Sequence, residues 1–243
     1  MKVSIIIPVY NEFHIFNQVL ERVKQAPLPS GCTKEIVVID DGSTDGTEEM
    51  LAHVAHHRIN HSGKGSAIRA GIARATGDIV LIQDGDLEYD PIDYARILQP
   101  IVDGQADIVY GSRFLGKPAA MALPNRIANR VLTAAANLLY SANVTDEATA
   151  YKAFRTTVLR QIPLECRRFE FCPEVTAKVR RLGHRIHEVP IGYNARGIAD
   201  GKKIRARDGF QALWTLLKYR FAPRRTLIQA AAARALAAQA HSR

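Results

Sequence analysis

Asp84 and Asp86, two carboxylates separated only by Gly85, are the residues whose types and spacing most directly suggest chemistry. They follow the apolar run Ile79-Val80-Leu81-Ile82, which is β-branched and too short for a helix. That run reads as a buried strand, so the pair falls where the chain leaves a sheet, the edge at which open α/β sheets bind ligands. On an extended chain both carboxylates point the same way, and Gly85 lets another backbone or a ligand approach closely. Such a pair repels itself unless a cation lies between. Its hard oxygens suit Mg2+ or Mn2+, which reach a protein through one or two carboxylates and complete their shell with substrate phosphates. A solvated acidic turn is the competing interpretation of the spacing alone.

The elements that would position this pair alternate along the chain. Val3–Ile7 reads as a strand stopped by Pro8, and Phe16, Val19, Leu20 and Val23 share one helical face. Between them Pro8-Val9-Tyr10-Asn11-Glu12 lies at the same sheet edge, where Tyr10 can stack on a flat base. Ile36–Ile39 forms a second strand and ends in Asp40-Asp41-Gly42-Ser43-Thr44-Asp45, whose composition suits a turn and a helix cap. An EF-hand fails there, because its twelfth position is Ala52. Gly63-Lys64-Gly65 precedes a helix expected over 67–75; it lacks the Walker A pattern, so Lys64 would supply charge near a diphosphate beside a helix start that suits anions. Asp107–Tyr110 reads as a fourth strand running into Gly111-Ser112-Arg113. This alternation predicts an α/β fold with a mostly parallel, doubly wound sheet and helices on both faces.

Over Asn125–Tyr140 the pattern is helical, with Arg126, Arg130, Thr133 and Asn137 on one stripe and Ile127, Val131, Ala134 and Leu138 beside it. A surface helix with solvated arginines and a membrane-proximal helix gripping a lipid phosphate both fit. Val144–Thr149 is a polar turn, and Asp146 is a candidate only if that turn folds back over the site. Ala150–Arg155 alternates like a strand, and a helix and a further strand are expected before 191. The basic stretch Asn194–Arg207 has no periodicity and reads as a mobile loop. Phe210, Leu213, Trp214 and Leu217 then recur at helical spacing among basic residues, which suits an interfacial helix or packing on the sheet.

With 243 residues, 47% of them hydrophobic, the chain has the material for one large α/β domain, or for a domain plus an appendage. Three cysteines without CxxC spacing argue against a disulfide framework or structural zinc. No signal peptide and no membrane-spanning apolar run is evident, so a cytoplasmic protein, at most peripheral on a membrane, is expected. The net charge of +9 is uneven: residues 151–225 hold 18 Lys and Arg against 6 Asp and Glu. A basic half can serve phosphorylated substrates, an anionic membrane or nucleic acid, and the scarcity of interleaved aromatics disfavours nucleic acid.

Taken together, Pro8–Glu12, Asp40–Asp45, Gly63-Lys64-Gly65, Gly77-Asp78, Asp84-Gly85-Asp86 and Gly111-Ser112-Arg113 resemble the family-two glycosyltransferases. Leu87–Pro91, Thr145-Asp146, Tyr151–Arg155 and Gly201–Ile204 point to the branch acting on dolichol or other polyprenyl phosphates, over roughly residues 1–221. The resemblance implies a GT-A fold with interfacial helices near 125–140 and 208–221 and an Ala-rich helical tail over 222–243. It implies an inverting, Mg2+- or Mn2+-dependent transfer from a nucleotide sugar of the GDP-mannose or UDP-glucose type to a polyprenyl phosphate. A hydroxyl acceptor on a glycan, protein or small molecule is the alternative, with Asp146 or Glu147 as base. By position, Pro8, Tyr10, Glu12, Asp40 and Asp41 would hold the nucleoside, with Lys64, Asp84 and Gly85 completing its pocket. Asp86, Asp84 and Glu88 would meet the metal, and Arg113 with Asp146 would join the catalytic set. Arg126 and Arg130, with Arg113, would hold the acceptor phosphate, while Arg196, Lys202 and Lys203 would close over the diphosphate. Many relatives carry Ala at position 85 and Gln at position 88, so Gly85 and Glu88 are departures that bear on metal preference. A separate membrane protein partner is a further expectation.

Overall fold

The computed structural model describes residues 1–116, 121–195 and 206–240. Its strands are β1 (Lys2–Val9), β2 (Thr33–Asp40), β3 (His56–Arg58), β4 (Ile79–Ile82), β5 (Ile108–Ser112), β6 (Lys152–Arg155) and β7 (His187–Pro190). They form a sheet in the order β3-β2-β1-β4-β6-β5-β7. β1 pairs in parallel with β2 and β4, and β5 with β7; β6 runs antiparallel to both β4 and β5. Since β4 and β5 oppose the same strand, they run the same way. The carboxyl ends of β1, β2, β4, β5 and β7 therefore meet at one edge, and the acidic pair leaves β4 there.

The helices are α1 (Phe16–Gln25), α2 (Thr47–Leu51), α3 (Lys64–Arg74), α4 (Tyr94–Val102), α5 (Leu123–Tyr140), α6 (Thr156–Gln161), α7 (Phe171–Arg181), α8 (Ala206–Phe221) and α9 (Arg224–Ala240). Ile5, Ile7, Val38 and Leu81 pack on one face of the sheet with Phe16 and Val19 of α1 and Ile97 and Leu98 of α4. Ile6, Ile39, Val80 and Ile82 pack on the other with Ile68 of α3, Ala136 of α5, Val175 of α7 and Leu216 of α8. Both faces are thus covered, which is why these strands read as continuous apolar runs without alternation. Gly71 lets α3 come close, since a Cβ there would overlap the Ile6 side chain.

Several boundaries differ from expectation for identifiable reasons. β2 begins at Thr33, because polar Thr33, Lys34 and Glu35 pair in register with Lys2, Val3 and Ser4. The strand expected fourth is the fifth: His56–Arg58 adds a short strand beside β2 with no apolar signal to announce it. β6 is almost wholly buried, because it lies between two strands under covered faces. α3 begins at Lys64, directly after Gly63, whose φ of +97° is accessible to glycine at low cost.

Candidate active site

The acidic turn is braced from beneath. Gln83, fully buried at the end of β4, accepts hydrogen bonds on Oε1 from the hydroxyls of Tyr94 and Tyr151, both at 2.6 Å, and donates from Nε2 to the Asp84 carbonyl at 2.9 Å. Gly85 lies over the end of β1, where a Cβ would stand 3.1 Å from the Pro8 carbonyl oxygen. Asp84 pairs with Lys64 at 2.5 Å. Burial works against the Lys64 charge, but the neighbouring Asp84 outweighs it and raises the lysine's pKa. The Asp86 carboxylate accepts the Glu88 amide at 3.0 Å. Glu88 also accepts the Tyr193 hydroxyl at 2.9 Å, and its carbonyl accepts the Asn194 amide, so it ties the turn to the chain beyond β7. Among the described residues no three His, Cys, Asp or Glu side chains gather into a ready-made metal cage. Asp84 and Asp86 offer hard oxygen donors suited to a divalent cation that draws the rest of its shell from water and phosphate.

The loops after β1 and β2 are knitted together at the same edge. Tyr10 stacks on His61 with centroids 4.1 Å apart, an aromatic platform at the expected base position. Glu12 donates its amide to Thr47 and accepts from Ile15 and Phe16 on its carbonyl, so its backbone starts α1. Asp40 is fully buried and accepts from the Ser43 amide and hydroxyl and from Arg58. Asp41 receives the amides of Ser62 and Gly63, each at 2.8 Å. The amides of Gly65 and Ser66 go to the carbonyls of Arg168 and Arg167. The start of α3, expected as an anion site, therefore spends those amides on protein partners, and the Lys64 ammonium is the cation it presents.

The turn 144–149 does fold back over the site, and its charges are buried instead of solvated. Asp146, fully buried, takes the Arg113 guanidinium in a bidentate pair at 2.6 and 2.7 Å and accepts the Arg113 amide at 3.0 Å. Glu188 of β7 holds the turn by accepting the amides of Thr145 and Asp146. The Arg113 guanidinium also lies 5.0 Å from the Tyr193 ring centre. Glu147 is fully buried, and the Thr176 hydroxyl of α7 is the polar side chain that its carboxyl meets. Burial pushes its pKa up to about 7 against the opposing charge of Lys152, whose ammonium donates to the carbonyls of Glu147 and Thr149 at 2.7 Å.

A cavity of about 510 Å³ joins these groups to an apolar space. Lys64, Asp84, Glu88, Arg113, Glu147 and Tyr193 line its polar part; Val131 and Leu132 of α5, Phe210 and Leu213 of α8, and Phe169 and Phe171 line the rest. Around it α5 and α8 expose Leu123, Ile127, Phe210 and Trp214, the last 65% accessible. Arg126 and Arg130 are exposed on α5 and do not line the cavity. Thr133 and Asn137, expected on their stripe, instead face inward and hold the 144–149 turn through Glu147 and Val144. Arg196, Lys202 and Lys203 lie outside the described residues. Tyr193 and Glu188 were not anticipated; their place on or just beyond the last strand, at the shared sheet edge, is the signal that would have found them. No helix among the described residues is long and apolar enough to cross a membrane.

Residues 4–162 match the model of the family described as glycosyl transferase family 2. The chain is 30% identical over 198 residues to glycosyltransferase AglJ of Haloferax volcanii, covering 80% of this chain and 63% of that protein. It is 31% identical over 220 residues to the undecaprenyl-phosphate mannosyltransferase of Micrococcus luteus, covering 83% of this chain and 87% of the relative. The fold matches glucosyl-3-phosphoglycerate synthase of Mycobacterium tuberculosis, crystallised with Mn2+, UDP-glucose and phosphoglyceric acid, with a TM-score of 0.69 at 21% identity over 91% of this chain and 80% of that one. The sheet and its flanking helices are accordingly of the GT-A type.

Proposed function

The chain belongs to glycosyl transferase family 2, and from that premise we propose that it moves a sugar from a nucleotide sugar to a polyprenyl phosphate at a membrane surface, inverting the anomeric carbon. The observation that carries this reading is the cavity in which Lys64 and Asp84 share walls with the apolar side chains of α5 and α8. A phosphate headed by charge and tailed by hydrocarbon matches that sequence of surfaces, whereas a small polar acceptor leaves the apolar part without a role. Exposed Leu123, Ile127, Phe210 and Trp214, with exposed Arg126, Arg130, Lys218 and Arg220 on the same two helices, suit an anionic lipid surface that delivers such an acceptor.

In this reading Tyr10 and the loops after β1 and β2 receive the nucleoside, and Lys64 stabilises the departing diphosphate. A Mg2+ or Mn2+ ion held by Asp86 and Asp84, with Glu88 alongside, would neutralise charge on that leaving group. The acceptor phosphate oxygen is anionic near neutral pH and attacks without a general base, so the protein's task is alignment and charge placement. Arg113, fixed by Asp146, presents a rigid cationic wall. The donor type is GDP-mannose or UDP-glucose in class.

The test is transfer of label from a panel of GDP- and UDP-sugars into polyprenyl phosphate with Mg2+ or Mn2+, against an Asp86→Ala control. Acid-labile labelled lipid is expected from one donor; hydrolysis of donor with no labelled lipid contradicts the reading. A hydroxyl acceptor is the second reading. It is favoured by Glu147, a buried carboxyl poised near neutral pH on the cavity wall, where a base would be needed.

A further inference from the structure

Tyr193, just beyond the end of β7, lines the cavity and touches charged groups on two sides of it. Its hydroxyl donates to Glu88 Oε2 at 2.9 Å, and its ring centre lies 5.0 Å from the Arg113 guanidinium. The rings of Tyr89 and Phe114 stand farther from that guanidinium, at 5.9 Å each. Tyr89 also meets the Tyr193 ring edge-on, with centroids 5.3 Å apart. The backbone around Tyr193 is pinned by other means. The Ile191 amide donates to the Ser112 carbonyl at 3.0 Å, the Gly192 amide to Asp93 Oδ2 at 2.8 Å, and the Asn194 amide to the Glu88 carbonyl at 2.9 Å. Three backbone donors thus hold the segment without the Tyr193 hydroxyl, which is spent on a carboxylate in the cavity wall. A hydrogen bond of that kind orients a carboxylate for whatever it binds, and an aromatic face favours a cation beside it.

Resting on the reading that the donor is held near Lys64, Asp84 and Glu88 and the acceptor phosphate at Arg113, we propose that Tyr193 is a positioning residue with two separable duties. Its hydroxyl fixes Glu88 for the donor, and its ring fixes Arg113 for the acceptor. Without the hydroxyl, the Glu88 carboxylate has rotamer freedom to give up when the donor binds, and that cost falls on donor affinity. Without the ring, Arg113 keeps its bidentate pair with Asp146 but loses its nearest aromatic face. That second cost falls on the acceptor. Tyr193 makes and breaks no bond; it acts through the two charged groups it touches, and alignment of donor and acceptor depends on both.

The experiment compares the wild type, Tyr193→Phe and Tyr193→Leu by two constants. One is the Kd of GDP and of UDP with Mn2+, measured by calorimetry; the other is the KM of a short-chain polyprenyl phosphate in detergent micelles at saturating donor. Tyr193→Phe keeps the ring and loses the hydroxyl. It is expected to weaken the bound nucleotide about tenfold while the acceptor KM stays within about twofold. Tyr193→Leu is expected to weaken the nucleotide equally and also to raise the acceptor KM about three- to tenfold. If Tyr193→Leu fails to fold, the split between the two constants in Tyr193→Phe carries the test alone. A side chain that merely fills space leaves Tyr193→Phe like the wild type, and that result overturns the inference. So does a Tyr193→Phe variant in which both constants worsen together. A wild type that binds neither nucleotide, or that labels no prenyl phosphate, defeats the proposed function itself, and the inference with it.

Discussion

The edge formed by β1, β2 and β4 and the flank formed by α5 and α8 solve opposite problems. At the edge polar groups are matched inside the protein: Asp40 with Ser43 and Arg58, Asp41 with two amides, Gln83 with two tyrosines. On the flank Leu138, Phe210 and Phe221 are each at least three-quarters exposed, and Arg126 and Arg130 reach solvent. The first arrangement is preorganised, a finished surface on which the proposed reading places the nucleotide. The second is left open by the described residues, and in the proposed reading a lipid surface would meet both its apolar and its basic character. The cavity runs between the two, with Glu147 and the Arg113–Asp146 pair at the junction.

The contrast is sharpest between the two kinds of arginine. Asp146→Ala leaves the Arg113 guanidinium buried without its partner and is expected to lower stability by about 3–5 kcal/mol in denaturant unfolding. A loss below about 1 kcal/mol would mean that the pair is not the rigid wall described. Asp86→Ala strikes the finished surface itself: transfer is expected to fall by about 10²–10³-fold with the melting temperature little changed. A variant retaining more than a tenth of the activity would remove Asp86 from the chemistry.

Glu147 tests the junction through pH. Its pKa in the fold is raised from 4.5 to about 7, so the folded chain holds this proton more tightly than the unfolded chain does. Stability therefore falls as pH rises from about 4.5 through 7, by on the order of 3 kcal/mol from this group. Glu147→Gln should escape that loss, and parallel stability curves for the two proteins across this window would show that the carboxyl is not strained. On the flank, Phe210→Asp with Trp214→Asp is expected to weaken binding to anionic vesicles by roughly tenfold. Undiminished vesicle binding would assign the exposed apolar face to another partner. The smallest effect belongs to Arg126→Gln and Arg130→Gln, each about 1 kcal/mol of vesicle binding at low salt. That difference should vanish at high salt; persistence would mean a specific contact instead of a diffuse charge.

Much of the edge was legible because its signals are local. Ile79–Ile82 followed by Asp84-Gly85-Asp86 places a strand and a turn within a few residues, and Asp40-Asp41 does the same for β2. The partners of these groups were not legible, since Asp84 with Lys64 and Asp41 with Ser62 are set by the order of strands in space. Arg113 and Asp146 were both singled out, yet nothing local joins residues 33 positions apart into a buried pair. Asn137 looked like part of a polar outer stripe; the last turns of α5 pass under the 144–149 turn, which draws it inward. Strand β3 was invisible, because two histidines and an arginine carry no apolar pattern and the strand exists only as an addition to β2.

The central claim, that one cavity carries an acceptor phosphate at its polar end and a prenyl chain along α5 and α8, is tested most directly by photocrosslinking. A prenyl phosphate bearing a photoreactive group along its chain would be irradiated with the protein, and the labelled peptides identified. Labelling at Val131, Leu132, Phe210 or Leu213, suppressed by excess polyprenyl phosphate and not by the corresponding prenol, is the predicted result. Specific labelling confined to other surfaces, or equal suppression by the prenol, would contradict it.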